Sequence, residues 1–378
     1  MGGFGPGILP GLHPLTRDQS TDTHWAARAL ELARLADYRT SPNPMVGAVV
    51  LDASGEVAGE GYHHGKGLDH AEQIALAAAG SRSRGGTIYT NLEPCPHAHR
   101  KPCCAQAIVE AGIGRAVISM EDPDPRVRAR GVDMLRAAGV ETTLGVLEAP
   151  ARRLNEFYVK HRTTGRPFVT AKFAMSLDGK IATASGESRW ISGEAARRHG
   201  HGLRHAHDAI LVGVNTVLLD DPELSARAPG SDRRQPIRVV LDSHLRTPPQ
   251  ARVLGPRTIL ASTHEGTFAG AEVLQVPADE EGRVSLEPLL DELGRREVLS
   301  LLVEGGAETH ASFFAAGLVD KVYAYIAPIV IGGRGAPSPV AGAGFGHLAE
   351  ALKLSDVDVQ TLDGDVVICG YVDVHRDR

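Results

Sequence analysis

Residues 91–108 read Asn-Leu-Glu-Pro-Cys-Pro-His-Ala-His-Arg-Lys-Pro-Cys-Cys-Ala-Gln-Ala-Ile. Three of the chain's four cysteines crowd into this stretch, at 95, 103 and 104, while Cys369 stands apart. A disulfide framework distributes its cysteines along a small secreted domain, whereas thiols bunched beside turn residues suit a metal. Just before them, Thr87 to Leu92 has the content of a strand, and Cys104 to Ala111 that of an Ala-rich helix. The thiols therefore lie where a strand hands over to a helix. A cysteine that opens a helix feels the positive end of its dipole, which favours the thiolate that binds metal. Cys369, in an apolar segment, reads as core packing.

Upstream, His70-Ala71-Glu72 opens a second helical segment, Ala71 to Ala79. Alone, that triplet is an ordinary helix start. Joined to Pro94-Cys95 and a further cysteine it supplies the parts of a zinc deaminase, in which one His and two Cys hold the ion and a non-ligating Glu moves protons. The residue types follow from the chemistry. Hydrolytic removal of an amino group needs hydroxide at neutral pH, and zinc lowers the pKa of its bound water from about 15.7 to about 7. A carboxylate beside it must carry the proton onward, the role read for Glu72. His70 and Cys95 are read as ligands, with the third thiolate from Cys103 or Cys104. His97 and His99 read as solvated loop residues. Positions two apart on a helix point about 200° from one another, so His70 and Glu72 can serve one ion only if it lies off the first turn.

The segments around this constellation alternate. Thr23 to Asp37 reads as a helix and is broken by Ser41-Pro42-Asn43-Pro44. Strands are expected at Val46 to Leu51 and Val57 to Tyr62, then at Ala116 to Met120, with a helix at Gly131 to Ala138. Such alternation implies a sheet covered by helices. A charged stretch, Leu147 to Arg166, leads to Pro167 and a second alternating series. Its strands are expected at Phe168 to Ala174, Ala209 to Val214, Ile237 to Leu241, Thr258 to Ala261, Ser300 to Glu304, Lys321 to Pro328 and Val366 to Val374. Helices are expected at Ala195 to His205 and Thr309 to Ala316. At 378 residues the chain suits two α/β domains, placed at 22–164 and 165–378. Residues 1–21, rich in Gly and Pro, are expected to be a disordered extension without the pattern of a secretory signal.

Charge and composition exclude partners. The formal net charge of -6 opposes a polyanion, whose counterions only a basic surface displaces. Aromatic residues make up 4%, too few for stacking platforms that grip single strands. No run reaches the roughly 18 to 20 apolar residues that span a bilayer. No nucleic acid and no membrane partner is expected, and the cysteine usage fits a reducing cytoplasm.

Asn91 through Cys95, with His97, Arg100, Pro102 and Ala107-Ile108, resembles the deaminase half of the bifunctional riboflavin biosynthesis proteins called RibD or RibG. In that family eight residues separate the two cysteine ligands, which from Cys95 implies Cys104, with Cys103 where a second proline is usual. The resemblance also implies that Asn43, in Pro42-Asn43-Pro44-Met45-Val46-Gly47, meets the heterocycle and that Arg100 lies near the substrate phosphate.

The second half carries no Gly-x-Gly-x-x-Gly after a strand. It offers Lys172-Phe173-Ala174-Met175-Ser176-Leu177-Asp178-Gly179-Lys180, then Ser185 to Ser192, Ile210 to Val217, Asp220-Asp221-Pro222 and Val303-Glu304-Gly305-Gly306. Glycines after strands, at Gly213 and Gly305-Gly306, let backbone amides approach a phosphate, and a helix N-terminus near Thr309 suits a pyrophosphate. Gly332-Gly333-Arg334-Gly335 reads equally as a phosphate loop or a flexible connection. In this order the motifs resemble the reductase half of the same family, and the two resemblances span about residues 22–374.

That resemblance implies a cytidine-deaminase-like α/β/α domain followed by a dihydrofolate-reductase-like α/β domain. It implies Zn2+ in the first and NADPH in the second. The cofactor would meet Ala174, Trp190, Thr216, Asp220, Ser243 and the run Gly306, Ala307, Glu308, Thr309, His310, Ala311 and Ser312. The phosphoribosyl-pyrimidine substrate would meet Ser188, Arg204, Leu224, Arg227 and Glu304, with Lys172 and Asp178 as further site residues. Two arginines suit a phosphomonoester, because a guanidinium makes paired charge-assisted bonds. The chain departs from the family at Ala307-Glu308, where Pro-Thr is usual, putting an acid near a pyrophosphate. The implied activity is deamination of 2,5-diamino-6-(5-phosphoribosylamino)pyrimidin-4(3H)-one followed by reduction of the ribosyl group, in a homo-oligomer, dimer or tetramer. A nucleoside or tRNA deaminase would carry Cys-x-x-Cys, and a non-catalytic nucleotide-binding relative would have lost His70, Glu72 or Cys95.

Overall fold

The computed structural model describes residues 17–97, 102–227 and 235–373, with side chains from Ser20 onward. They separate into two compact units that divide between Asn155 and Glu156.

The first unit runs α1 (Arg17–Arg34), β1 (Gly47–Leu51), β2 (Val57–Tyr62), α2 (Ala71–Ala79), β3 (Thr87–Thr90), α3 (Cys104–Glu110), β4 (Arg115–Ile118), α4 (Arg130–Ala137), β5 (Glu141–Leu144) and α5 (Glu148–Leu154). Its sheet has the order β2-β1-β3-β4-β5. β1 is antiparallel to both neighbours, while β3, β4 and β5 run parallel. Every residue of β1 is buried, as a strand covered on both faces requires. Ala29 and Leu32 of α1 pack on Val49, Leu51, Tyr89 and Val117.

Two expectations change here. α1 begins at Arg17, inside the stretch expected to be disordered, because Asp22 anchors it. That carboxylate is buried, accepts from Arg115 Nη1 and Nη2 at 2.8 and 2.7 Å, and accepts from Tyr89 Oη at 3.0 Å. Residues 1–16 lie outside the described residues. The charged stretch after Leu147, where the sequence suggested no element, forms helices. The first is α5, whose Pro150 sits in the first turn, where a missing N–H costs nothing.

The second unit runs α6 (Glu156–Thr164), β6 (Phe168–Ser176), α7 (Glu194–Ala206), β7 (Ala209–Gly213), α8 (Val214–Asp220), β8 (Ile237–Leu241), β9 (Thr258–Ser262), β10 (Glu272–Gln275), α9 (Leu286–Arg295), β11 (Ser300–Val303), α10 (Ala307–Ala315), β12 (Lys321–Ala327), β13 (Leu354–Leu362) and β14 (Asp365–Val372). α6 is tied to this unit by Lys321 Nζ donating to Glu156 at 3.0 Å and Lys160 Nζ to Asp320 at 2.7 Å.

Nine strands form its sheet, ordered β10-β9-β8-β7-β11-β6-β12-β14-β13. β10 to β12 are parallel, and the β13–β14 hairpin closes the edge antiparallel. Alternate residues feed two cores. Ala209, Leu211, Val239, Ile259, Ala261, Leu301 and Val303 point to one face, and Ile210, Val212, Val240, Leu260 and Leu302 to the other. Covered on both faces, these strands are continuous apolar runs, which is why the sequence showed them. Missed were α6, α8, β10, α9 and β13 here, and β5 in the first unit. β13 is an edge strand with most of its residues exposed, Val357 and Val359 included.

Candidate active sites

In the first unit, His70 is the N-cap of α2, with extended backbone at φ -75 and ψ 160. The geometric conflict with Glu72 dissolves for that reason: His70 precedes the helix, while Glu72 lies in its first turn and is buried. Cys103 caps α3 and Cys104 is its first residue, which turns the two neighbouring thiols apart. His70 Nδ1 lies 3.2 Å from Cys104 Sγ and 3.6 Å from Cys95 Sγ, and the Cys104 N–H faces Cys95 Sγ at 3.4 Å. Among the described residues, His70, Cys95 and Cys104 are the group of His, Cys, Asp or Glu able to hold one ion, their donor atoms all within 4.8 Å.

These separations fit zinc. Tetrahedral bonds of about 2.0 Å to nitrogen and 2.3 Å to sulfur put neighbouring donors roughly 3.5 Å apart. The protons report the same crowding. The Cys104 thiol and the His70 imidazole hold Cys95 well below the ordinary thiol range, and the paired Cys95 together with burial pushes Cys104 up. The bond to Cys95 lifts His70 to about 9. Burial raises the Glu72 carboxyl to about 7, against the pull of His70. A group near neutrality both takes and gives a proton readily.

Two residues of this site carried no assigned role in the sequence. Glu93 accepts four backbone N–H groups, from Asp122 at 3.1 Å, Ala129 at 3.0 Å, Gly131 at 2.9 Å and Val132 at 3.2 Å. It thereby ties the start of α4 to the loop that carries Cys95. His63 is buried, its ring centroid 5.3 Å from that of His70, and its Nε2 lies 3.3 Å from Asn43 Nδ2. Glu93 stood in the quoted motif; nothing in the linear pattern marks His63. Arg100 and His99 lie outside the described residues.

In the second unit a cavity of about 960 Å³ opens where β6, β7, β8 and β11 end, the usual ligand position on a parallel sheet. Of the residues expected there, Lys172, Ala174, Ser188, Thr216, Asp220, Ser243, Glu304, Gly306, Ala307, Glu308, Thr309, His310 and Ser312 line it. Gly305 is flush against β7, where a Cβ would stand 2.7 Å from that of Val212. Gly306 has φ 67 and caps α10, which starts two residues earlier than the sequence suggested. Glu308 is in the first turn of α10.

Six expected residues are not among the lining. Asp178 accepts from Ser176 Oγ at 2.6 Å and from the N–H groups of Ile331 and Gly332 at 3.0 and 2.7 Å, so its carboxylate holds a loop and sits down at about 2. Leu224 is buried in the core with φ 53. Arg227 is exposed and pairs with Glu223 at 2.9 Å. Trp190 is exposed, with the Arg197 guanidinium 4.6 Å from its ring centre. Ala311 lies on α10. Arg204 donates through Nε and Nη2 to the two Glu304 oxygens, both at 2.7 Å. Lys172 Nζ stands 3.9 Å from the same carboxylate. These cations hold Glu304 at about 2 despite its burial, and burial lowers Lys172.

The comparisons agree over both units. The cytidine and deoxycytidylate deaminase zinc-binding region matches residues 19–120, and the RibD C-terminal domain matches 167–368. The riboflavin biosynthesis protein RibD of Actinobacillus pleuropneumoniae is 39% identical over 92% of this chain and 94% of its own length. The structure of Acinetobacter baumannii RibD, form 1, superposes with a TM-score of 0.87 at 36% identity, covering 94% of this chain and 99% of that one. The Thermotoga maritima diaminohydroxyphosphoribosylaminopyrimidine deaminase/5-amino-6-(5-phosphoribosylamino)uracil reductase gives 0.84 at 32% identity, covering 94% and 100%. With a zinc-binding deaminase region and a reductase domain on one polypeptide, the chain belongs to the RibD family of bifunctional deaminase/reductases of riboflavin biosynthesis.

Proposed function

We propose that the first unit deaminates 2,5-diamino-6-(5-phosphoribosylamino)pyrimidin-4(3H)-one and that the second reduces the resulting 5-amino-6-(5-phosphoribosylamino)uracil to its ribitylamino product with NADPH. The observation that carries this reading is the convergence of His70 Nδ1, Cys95 Sγ and Cys104 Sγ beside the buried Glu72, on a chain alike over its length to a protein named for both steps.

His70, Cys95 and Cys104 would hold the zinc ion, which would supply the Lewis acid that activates water. Glu72, buried beside these donors, would take the proton of the attacking water and pass it to the ring nitrogen and the departing ammonia. Asn43 orients the heterocycle, with His63 beside it, and Arg100 binds the phosphate.

In the second unit NADPH supplies the hydride, and the chain supplies position and a proton. Lys172 is the proton source: its ammonium is buried, which loosens the proton, and Glu304 fixes it at the cavity wall. Ser188, Arg204, Leu224, Arg227 and Asp178 complete the substrate side. Ala174, Trp190, Thr216, Asp220, Ser243 and residues 306–312 complete the cofactor side, with the start of α10 toward the pyrophosphate. The same reading places a homo-oligomer, dimer or tetramer, in the cytoplasm, with no nucleic-acid partner. Among the described residues no helix is long and apolar enough to cross a membrane.

The test uses the full chain with the diaminopyrimidine, with and without a chelator and NADPH. Without NADPH, turnover is expected to stop at the uracil. With chelator, the diaminopyrimidine should persist while added uracil is still reduced. Full-rate deamination by metal-free protein would remove the reading.

A further inference from the structure

Behind the wall of the second cavity lies a layer that does not line it. Lys172, Ala174 and Glu304 face the cavity, and Tyr325 and His199 are not among its lining residues. β6 and β12 run parallel, with Lys172 beside Tyr323 and Ala174 beside Tyr325, so Lys172 and both tyrosines project from one face of the sheet. Lys172 Nζ stands 5.2 Å from the centre of the Tyr325 ring, within the roughly 6 Å over which an aromatic face attracts a cation. That ring is buried.

The other supports of the lysine are incomplete. Glu304 gives both oxygens to Arg204 at 2.7 Å and lies farther, at 3.9 Å, from Lys172. An ammonium on a flexible four-carbon stem is not fixed by one long contact. On α7, Gly200 leaves the stem room, since a Cβ there would stand 3.7 Å from Lys172 Cε and 3.8 Å from Nζ. The preceding residue of α7 closes the arrangement. His199 Nδ1 lies 2.6 Å from Tyr325 Oη, a hydrogen bond that fastens the helix to the ring on which the ammonium rests. Burial lowers His199 and pushes the Tyr325 phenol above its ordinary range, so the bond joins two neutral groups.

We propose that Tyr325, held by His199, is a positioning residue that keeps the Lys172 ammonium at the cavity wall for proton transfer. The proposal rests on the reading of Lys172 as the proton source. In that step the bond between C1′ of the ribosyl group and its ring oxygen breaks, C1′ receives the hydride as NADPH is oxidised, and the oxygen takes the Lys172 proton. The groups that face Lys172 keep one charge across neutral and alkaline pH. Glu304 is held at about 2, Arg204 and the two tyrosines are raised, and His199 and His310 are lowered by burial. The alkaline limb of the reduction rate is therefore set by Lys172 itself.

The experiment follows reduction of added 5-amino-6-(5-phosphoribosylamino)uracil by the full chain across that pH range, with calorimetric titration of NADPH as the check that each variant is folded. Tyr325→Met removes the ring face that favours the charged lysine. Its kcat should fall about 3- to 30-fold and its alkaline limb should move down by about half a unit to one and a half units, with NADPH affinity unchanged. Tyr325→Phe keeps the face and should keep the limb. A merely structural loss would lower activity without moving it. His199→Ala frees the ring and should lower kcat by a smaller factor. A folded Tyr325→Met with the wild-type limb overturns the positioning role alone; where that variant fails to bind NADPH, a wild-type kcat in His199→Ala does the same. Lys172→Met tests the premise: if it retains both kcat and the limb, the proton-source reading and the proposal fall together.

Discussion

The candidate metal donors of the first unit and the carboxylate proposed to carry protons all come from residues 70–104, at the starts of two helices and in the loop after one strand. The cavity of the second unit draws its walls from Lys172 through Pro339. One site is local because a small ion needs donors within a few ångströms, which neighbouring loops of a single sheet edge can supply. The other is dispersed because its cavity runs across the ends of several strands, and strands adjacent in space are far apart in sequence. Damage should differ accordingly. A single substitution in the first site removes chemistry outright, whereas in the second it erodes affinity, position or stability.

The largest effect is expected from Glu72→Gln, which keeps the shape but cannot take a proton. Deamination should fall about 10²- to 10⁴-fold with reduction of added uracil unchanged, in a coupled assay of both steps; near-normal deamination would end the assignment of Glu72. Next come the adjacent thiols. Cys104→Ser should lose the metal by elemental analysis, and Cys103→Ser should retain it, since Cys103 only caps the helix. The reverse pattern would exchange their roles.

In the second unit, Arg204→Ala strands the Glu304 carboxylate, whose side chain is 7% exposed, with only the more distant Lys172. Breaking such a buried pair costs roughly 3 to 5 kcal/mol, visible as a lower urea midpoint for the second unit. An unchanged midpoint would show that water replaces the guanidinium. A paired glycine test sharpens the contrast. Alanine at Gly131 would put its Cβ 1.9 Å from Pro94 O, and at Gly294 1.8 Å from Gly165 O. Each should cost about 1 to 3 kcal/mol, but only Gly131→Ala should also weaken metal retention, because it pushes the loop of Cys95.

The smallest effect is a pH dependence read in the second unit. Burial depresses His207 from 6.5 to about 4. Between those values the unfolded chain binds a proton that the folded one refuses, so stability declines as pH falls through this window. Glu304 is depressed from 4.5 to about 2, so its contribution is complete above 4.5 and fades as pH falls toward 2. His207→Gln should flatten the upper part of the curve measured by urea unfolding; an unaltered slope would show that other groups set it.

Much of the first site was legible in the chain because its chemistry is written in rare residue types at short spacing. Cys95 and a second cysteine close to a helix start, with His70 and Glu72 opening another, leave few alternatives. The choice between Cys103 and Cys104 was not legible without the family spacing; helix phase separates them in space. Glu93 and His63 were missed because a carboxylate that holds four amides, or an imidazole beside a ligand, leaves no periodic trace. In the second half, the sequence placed strands well where both faces are buried, and it gave no sign of what else holds Asp178, Leu224 and Arg227, three residues proposed for the substrate side. The structure spends Asp178 on the 331–332 backbone, Leu224 on the core and Arg227 on Glu223.

By itself, then, the order of residues determined the two α/β halves, the deaminase donor set and the family. Those properties depend on local propensity, on burial patterns and on chemically scarce side chains, all of which act over short stretches. Only the tertiary structure decided which cation faces which acid: that Arg204 and Lys172 share Glu304. Pairing of charges depends on distance and desolvation, and both are set by strand order, which brings residues a hundred positions apart to within a hydrogen bond.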